Sequence, residues 1–260
     1  MRIALAVEYA GDAFCGWQSQ PSACGAQDAL QRALSDIAAQ PVTVAAAGRT
    51  DAGVHAVSQI VHFDTDAVRP LSAWTRGVTA RLPQAMAVLW AHPVTDEFHA
   101  RFAATARHYT YLLQARGERP ALLAGRVGWY HGSLDVDAMR SGAAHLVGTH
   151  DFSAFRAAEC QAKSPVKTMG AIAIGSDGPI LRFDFHASAF LHHMVRNIVG
   201  SLVYVGAKRQ PPAWIGELLA ARDRTRAAPT FAADGLYLCG ADYDVRFGLP
   251  PTRRVASISR

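Results

Sequence analysis

The chain has 260 residues, half of them apolar and 18% charged, a globular balance that excludes disorder, collagen-like repeats and low-complexity tails. Its length accommodates one large domain or two of modest size. Basic side chains exceed acidic ones by five, and the excess is nearly all arginine, since lysine occurs only at positions 163, 167 and 208.

Hydrophobic periodicity predicts a strand at Ile3 to Tyr9, then a helix carrying the stripe Ala26, Leu30, Ala33, Leu34 and Ile37. Val42 to Ala46 and Val57 to Phe63 read as strands. Leu71 to Leu82 reads as a helix stopped by Pro83, and Ala85 to Pro93 as a further apolar strand. The order β-α-β-β-α-β is that of the split ferredoxin-like unit, with helices on one sheet face and the other face left to be covered or used. The second half repeats it with longer loops: a strand at His108 to Leu113, a helix at Val136 to Leu146 and paired strands at Lys167 to Ile174 and Ile180 to His186. A helix at Ala189 to Val205, a short helix at Pro212 to Ala221 and a last strand near Leu236 to Cys239 follow. The expected fold is therefore α+β, with two ferredoxin-like domains packed side by side on a joined antiparallel sheet. The expected domains are residues 1–105 and 106–246, with a C-terminal tail at 247–260. No Gly/Ser linker separates the domains, so close packing is expected.

No apolar run approaches the ~20 residues that cross a bilayer, and Glu8 interrupts the run Ile3 to Val7, so a soluble, cytoplasmic protein without a membrane partner is expected. Cys15, Cys24, Cys160 and Cys239 are scattered, with no C-x-x-C pair, and are read as reduced. Between Arg101 and Arg126 five arginines stand against one acid, Glu118, and Arg222, Arg224 and Arg226 form a second cluster. Each group reads either as a solvated face or as a polyanion site.

Dinucleotide, P-loop, zinc-protease and nucleophile-elbow motifs are all absent. Apart from the adjacent His192 and His193, no two of the eleven histidines lie closer than His145 and His150, so none has the i, i+3 or i, i+4 spacing of a helical metal site, and no metal is expected. One segment stands out, Ala47-Gly48-Arg49-Thr50-Asp51-Ala52-Gly53-Val54-His55-Ala56, between two predicted strands. Its glycines allow a sharp turn that gathers Arg49, Asp51 and His55. An aspartate in such a turn most often bonds its own backbone; a reactive carboxylate is the other reading.

The stretch Gly48 to Ala56 resembles the G-R-T-D-A-G-V-H-A loop of the TruA family of tRNA pseudouridine synthases. Further blocks resemble the family in the same order: Tyr9-Ala10-Gly11, Phe14, Gly16-Trp17-Gln18, Phe98-His99-Ala100-Arg101-Phe102 and Arg107-His108-Tyr109-Thr110-Tyr111. Then come Leu146 to Phe152, Phe190-Leu191 with Met194-Val195-Arg196, and Gly235-Leu236-Tyr237-Leu238. Departures are small: Ala10 stands where an aspartate is frequent, and Gly25-Ala26-Gln27 replaces a more usual Thr-Val-Gln.

The resemblance implies the pseudouridine synthase fold and isomerisation of uridine to pseudouridine in the tRNA anticodon stem-loop, at tRNA positions 38, 39 and 40, by a homodimer without metal or redox cofactor. It assigns Asp51 as nucleophile, Arg196 as its ion-pair partner, and Tyr109 as the ring that stacks on the target base and takes part in proton transfer. Arg49, Tyr109, Leu236, His55 and Arg101 become substrate-binding residues. The stripe Phe190, Leu191, Met194, Val195, Ile198, Val199 and Leu202 leaves His192, His193, Arg196 and Asn197 on the polar edge of their helix. Tyr109 and Tyr111 share one strand face, so one can serve the site while the other packs. Two other readings compete. A non-catalytic RNA-binding protein with two RRM-like domains suits the charge and topology but lacks the aromatic RNP1 pattern. A metal-free hydrolase using Asp51 on a phosphate or acyl substrate finds no phosphate loop.

Overall fold

The computed structural model describes residues 1–257. In chain order it forms β1 (Arg2–Tyr9), α1 (Ala26–Ala38), β2 (Val44–Ala46), β3 (His55–Asp64) and β4 (Met86–Val94). There follow β5 (Ala106–Ala115), β6 (Gly128–Tyr130), α2 (Val136–Ala144), β7 (Gly148–Asp151), β8 (Val166–Asp177) and β9 (Ile180–Ala187). The last elements are α3 (Met194–Gly206), α4 (Trp214–Ala221) and β10 (Leu236–Asp242). Contacts divide the chain into two units, Met1–Ala106 together with the segment from Tyr237 on, and Arg107–Leu236.

In the first unit the strand order is β4-β1-β3-β2, antiparallel throughout, which is the ferredoxin-like arrangement expected from the sequence. Alternation along β1 puts Ile3, Leu5 and Val7 on one face and Ala4 and Ala6 on the other, and all five are buried. Ile3 pairs with Phe63, whose ring meets Trp74 edge-on at 5.2 Å. Trp74 belongs to the predicted second helix, which runs from 71 to 79 with Ala73–Gly77 in π-helical geometry. The small side chains of Ala4 and Ala6 admit Ile60, Phe98, Ala241 and Phe247 against the opposite face. Both faces of this sheet are therefore covered.

The segment expected to be a tail supplies part of that cover. β10 pairs parallel with β3 through Tyr237–His55 and Leu238–Ala56, and Gly240 bridges to Arg253. The Ser58 hydroxyl donates to the Thr252 carbonyl at 2.7 Å, and the Trp90 indole donates to that of Pro251 at 3.2 Å. Contacts thus group the segment from Tyr237 on with the first unit, where the main chain of β10 hydrogen-bonds to β3. Residues 258–260 of the expected tail lie outside the described residues.

The second unit carries the antiparallel order β5-β9-β8-β7, with β6 parallel to β5. Asp135 caps α2 by accepting the Ala138 N–H at 3.0 Å, satisfying one of the unpaired donors of the first turn. The expected helix Ala189 to Val205 begins only at Met194, because His193 holds φ +60° at its N-cap. Asn197 corrects the expected polar edge. It is fully buried, donating to the Phe155 carbonyl and accepting from Arg224 and Thr230. Arg224 is thereby engaged internally, and Arg222 lies 3.5 Å from Asp151, so two members of that arginine cluster have protein partners. No helix among the described residues is long and apolar enough to cross a membrane.

The reading of four reduced cysteines is also corrected. Cys15 and Cys24 form a disulfide, while Cys160 and Cys239 are free and buried. The intervening turn folds back so that the Cys15 N–H donates to the Cys24 carbonyl at 3.0 Å, leaving the Cα atoms 5.4 Å apart, within bridging range.

Candidate active site

The motif loop leaves β2 and enters β3 through a turn closed by the Val54 N–H on the Asp51 carbonyl at 3.1 Å, with Gly53 at φ +81°. Thr50 and Val54 are buried beside Asp51, which is half-buried, and Arg49 is exposed. The turn therefore holds its backbone fast while the carboxylate keeps access to solvent.

Three contacts from earlier in the chain set the height of this turn. The Trp17 N–H donates to the Thr50 carbonyl at 2.9 Å, the Gly53 N–H to the Gly11 carbonyl at 3.3 Å, and the Tyr9 and Thr50 hydroxyls share a buried hydrogen bond of 2.8 Å. Burial pushes the Tyr9 phenol well above its ordinary pKa, so it remains a neutral hydrogen-bonding group. Gly16 has φ +94°, and a Cβ there would stand 2.9 Å from the Thr50 carbonyl oxygen and 3.3 Å from the Asp51 carbonyl carbon. The disulfide ties the residue before Gly16 to the residue before Gly25, the N-cap of α1, where the Gly25 N–H donates to Asp28 at 3.0 Å.

His55 lies beneath this turn instead of on its surface. It is 2% exposed, its Nδ1 accepts the Gly11 N–H at 3.0 Å, and its ring stacks on Tyr237 at 4.7 Å. In this position the ring packs against the backbone that carries the turn. Arg101 sits at the surface with its guanidinium 5.6 Å from the centre of the Phe102 ring.

The remaining predicted residues belong to the second unit. Tyr109 lies on β5 opposite Phe185, with Phe190 packed edge-on at 5.0 Å. Of the two tyrosines on this strand face, Tyr111 is the packing residue: it is fully buried, donates to the Ala232 carbonyl at 2.8 Å and meets Phe231 edge-on. Arg196, half-buried near the start of α3, donates its Nε–H to the Phe231 carbonyl at 2.9 Å, and the Phe231 N–H returns a bond to the Arg196 carbonyl at 3.3 Å. The Nε bond restrains the guanidinium, and the main-chain bond ties the Phe231 segment to α3. The Asn197 cluster holds the same segment from below through Thr230. Leu236 is buried at the start of β10, its N–H bonded to the Ala233 carbonyl at 2.8 Å.

The family model described as tRNA pseudouridine synthase matches residues 5–103 and 143–244. The chain belongs to the tRNA pseudouridine synthase family. Among relatives named tRNA pseudouridine synthase A, that of Thiobacillus denitrificans is 60% identical over 96% of both chains. That of Chromobacterium violaceum is 61% identical over 96% of both, and that of Methylobacillus flagellatus 57% over 99% of both. The mixed α+β architecture is accordingly that of a pseudouridine synthase. The matched stretches include Arg49, Asp51, His55, Arg101, Arg196 and Leu236, while Tyr109 falls in the interval between them. Sequence reasoning missed Tyr9, Gly16 and Trp17 as supports of the Asp51 turn. Their only signal was membership of the ordered blocks that carry the family resemblance.

Proposed function

We propose that this chain isomerises uridine to pseudouridine in the anticodon stem-loop of tRNA, at tRNA positions 38, 39 and 40, with Asp51 as nucleophile. The family match carries this reading, because it includes a turn that presents one half-buried carboxylate on a firmly held backbone. Relatives sharing 57% to 61% of their residues bear the name of that activity.

The reaction breaks the N1–C1′ bond of uridine and forms a C5–C1′ bond, with one proton lost from C5 and one gained at N1. Atoms and electrons balance within the substrate, so the chemistry asks the protein for a nucleophile, proton transfer and control of the released uracil. A carboxylate is a competent nucleophile for such a carbon centre. Arg196 is assigned the cation that favours ionised Asp51, its orientation supported by the bond from Nε to Phe231. Tyr109 is assigned to stack on the uracil and carry a proton, Leu236 to line the apolar side of its pocket, and Arg49 to meet the RNA beside the displaced nucleotide. Arg101 and His55 are assigned to substrate binding, His55 from its buried place against the turn. The target base leaves its stack at a cost of a few kcal/mol, offset by stacking and phosphate contacts from this arginine-rich chain. A homodimer acting in the cytoplasm completes the reading.

The test is incubation with unmodified tRNA transcript followed by pseudouridine mapping. The reading expects product at the 3′ side of the anticodon stem and loop. Tight tRNA binding with no product at any position would favour the RNA-binding alternative.

A further inference from the structure

Phe102 is the large aromatic side chain most out of place in this molecule, 76% exposed although it follows a segment that is among the best anchored. Phe98 and Ala100 before it are fully buried. The Phe98 carbonyl accepts from Arg2 at 2.9 Å, the Ala100 carbonyl accepts from the Tyr243 hydroxyl at 2.6 Å, and the Ala100 N–H donates to His62 Nδ1 at 3.2 Å. The Ala103 N–H closes the turn on the His99 carbonyl at 2.9 Å. The ring is thus held out on a rigid support.

Beneath it lies a ladder of rings. His62 is buried; His99 meets it at 4.6 Å, and Phe102 meets His99 at 4.3 Å with the planes inclined by 33°. The His99 Nδ1 accepts the N–H groups of Arg101 and Phe102, which fixes the imidazole plane. Burial, followed by the charge of Arg2, holds His99 below its ordinary pKa, so it packs as a neutral ring at pH 7. Arg101 flanks the outermost ring. Of the acids near this turn, Asp64 pairs with Arg2 and Glu97 with Arg246.

We propose that Phe102, backed by His99 and flanked by Arg101, is a stacking platform for an unpaired base of the RNA substrate, outside the target-base pocket. An aromatic face beside a guanidinium is what an unstacked base and its phosphate require. Because turn and rings are already ordered, little conformational entropy remains to be lost on binding. A second copy of the chain is the less suitable occupant, since the exposed ring is bordered by arginine and imidazole instead of other apolar side chains. This inference rests on the tRNA reading above.

The test measures equilibrium binding of unmodified tRNA transcript to the full chain and to Phe102→Ala, Phe102→Leu, Phe102→Trp and Arg101→Ala. Loss of one base stack predicts that Phe102→Ala weakens binding roughly 5- to 150-fold, with an unaltered salt slope. Phe102→Trp should stay within about threefold of wild type, and Phe102→Leu should fail as alanine does. Arg101→Ala should reduce the log–log salt slope by about 0.7 to 0.9, the value of one phosphate contact. Affinity within about twofold for Phe102→Ala, or rescue by leucine equal to that by tryptophan, would overturn the platform. So would a change of oligomeric state in Phe102→Ala, by sedimentation, that accounts for the lost affinity. If wild type makes pseudouridine while Phe102→Ala binds normally, only this inference falls; a wild type that neither binds nor modifies tRNA removes the functional reading and the inference together.

Discussion

Gly16→Ala should disturb the Asp51 turn while leaving every side chain assigned to the chemistry unaltered. At φ +94° a non-glycine residue costs about 1–3 kcal/mol in backbone strain. The new methyl would also sit 2.9 Å from the Thr50 carbonyl oxygen and 3.2 Å from the Ala52 nitrogen, both main-chain atoms that cannot rotate aside. Relieving that overlap moves the turn by a few tenths of an ångström and adds about 1–3 kcal/mol of overpacking. The expected loss of stability is therefore about 2–6 kcal/mol, read from urea unfolding by linear extrapolation. If a 1 Å misplacement costs about a hundredfold in rate, a shift of this size should slow single-turnover pseudouridine formation roughly 3- to 30-fold at saturating tRNA. Binding should change little. Gly175→Ala is the control, since a Cβ there meets nothing within 4 Å. Wild-type stability and rate in Gly16→Ala would refute the claim that this glycine sets the position of the Asp51 turn.

Tyr109→Phe separates the ring from its hydroxyl: a fall in single-turnover rate of about tenfold or more with unchanged affinity supports proton transfer, and an unchanged rate confines Tyr109 to stacking. Acid should destabilise the first unit through His62, which burial, then the charges of His99 and Arg2, hold down to about pKa 4 from 6.5. Its folded-state value is lowered, so the stability present above pH 6.5 is lost as pH falls toward 4, by up to roughly 3 kcal/mol. Urea midpoints measured from pH 7.5 to 4 on wild type and His62→Gln should converge in that window; parallel curves would contradict the assignment.

Elements with sustained periodicity were legible in the sequence. The run from Ile3 to Tyr9 and the stripe Ala26, Leu30, Leu34 correspond to β1 and α1, because burial on defined faces leaves a regular pattern. β6 and β7, with three and four residues, are too short to show a period. The extra cover on the first sheet was invisible for a different reason: Phe247, Pro251 and Thr252 gain their roles only by meeting β1, β3 and β4 residues far away in the chain. The Cys15–Cys24 bridge likewise depends on a turn whose return path no spacing rule predicts.

The Asp51 turn was legible as a motif, but its supports were not. Tyr9 and Thr50 are separated by 41 positions, and their buried hydroxyl contact is a product of strand pairing. Local pattern also misled at Asn197, which falls on the polar side of an amphipathic stripe yet is buried. The segment containing Thr230 and Arg224 folds over it and satisfies its amide. The burial of His55 was not legible either, because sequence proximity to a carboxylate carries no information about which side of the turn a ring occupies.

The most direct measurement compares wild type with Asp51→Asn on unmodified tRNA transcript, following pseudouridine by position and tRNA affinity in parallel. The account predicts that the variant forms no detectable product while its affinity stays within about tenfold, since the carboxylate serves the transition state more than binding. Product formed by Asp51→Asn at a rate near wild type would contradict a nucleophilic role for Asp51.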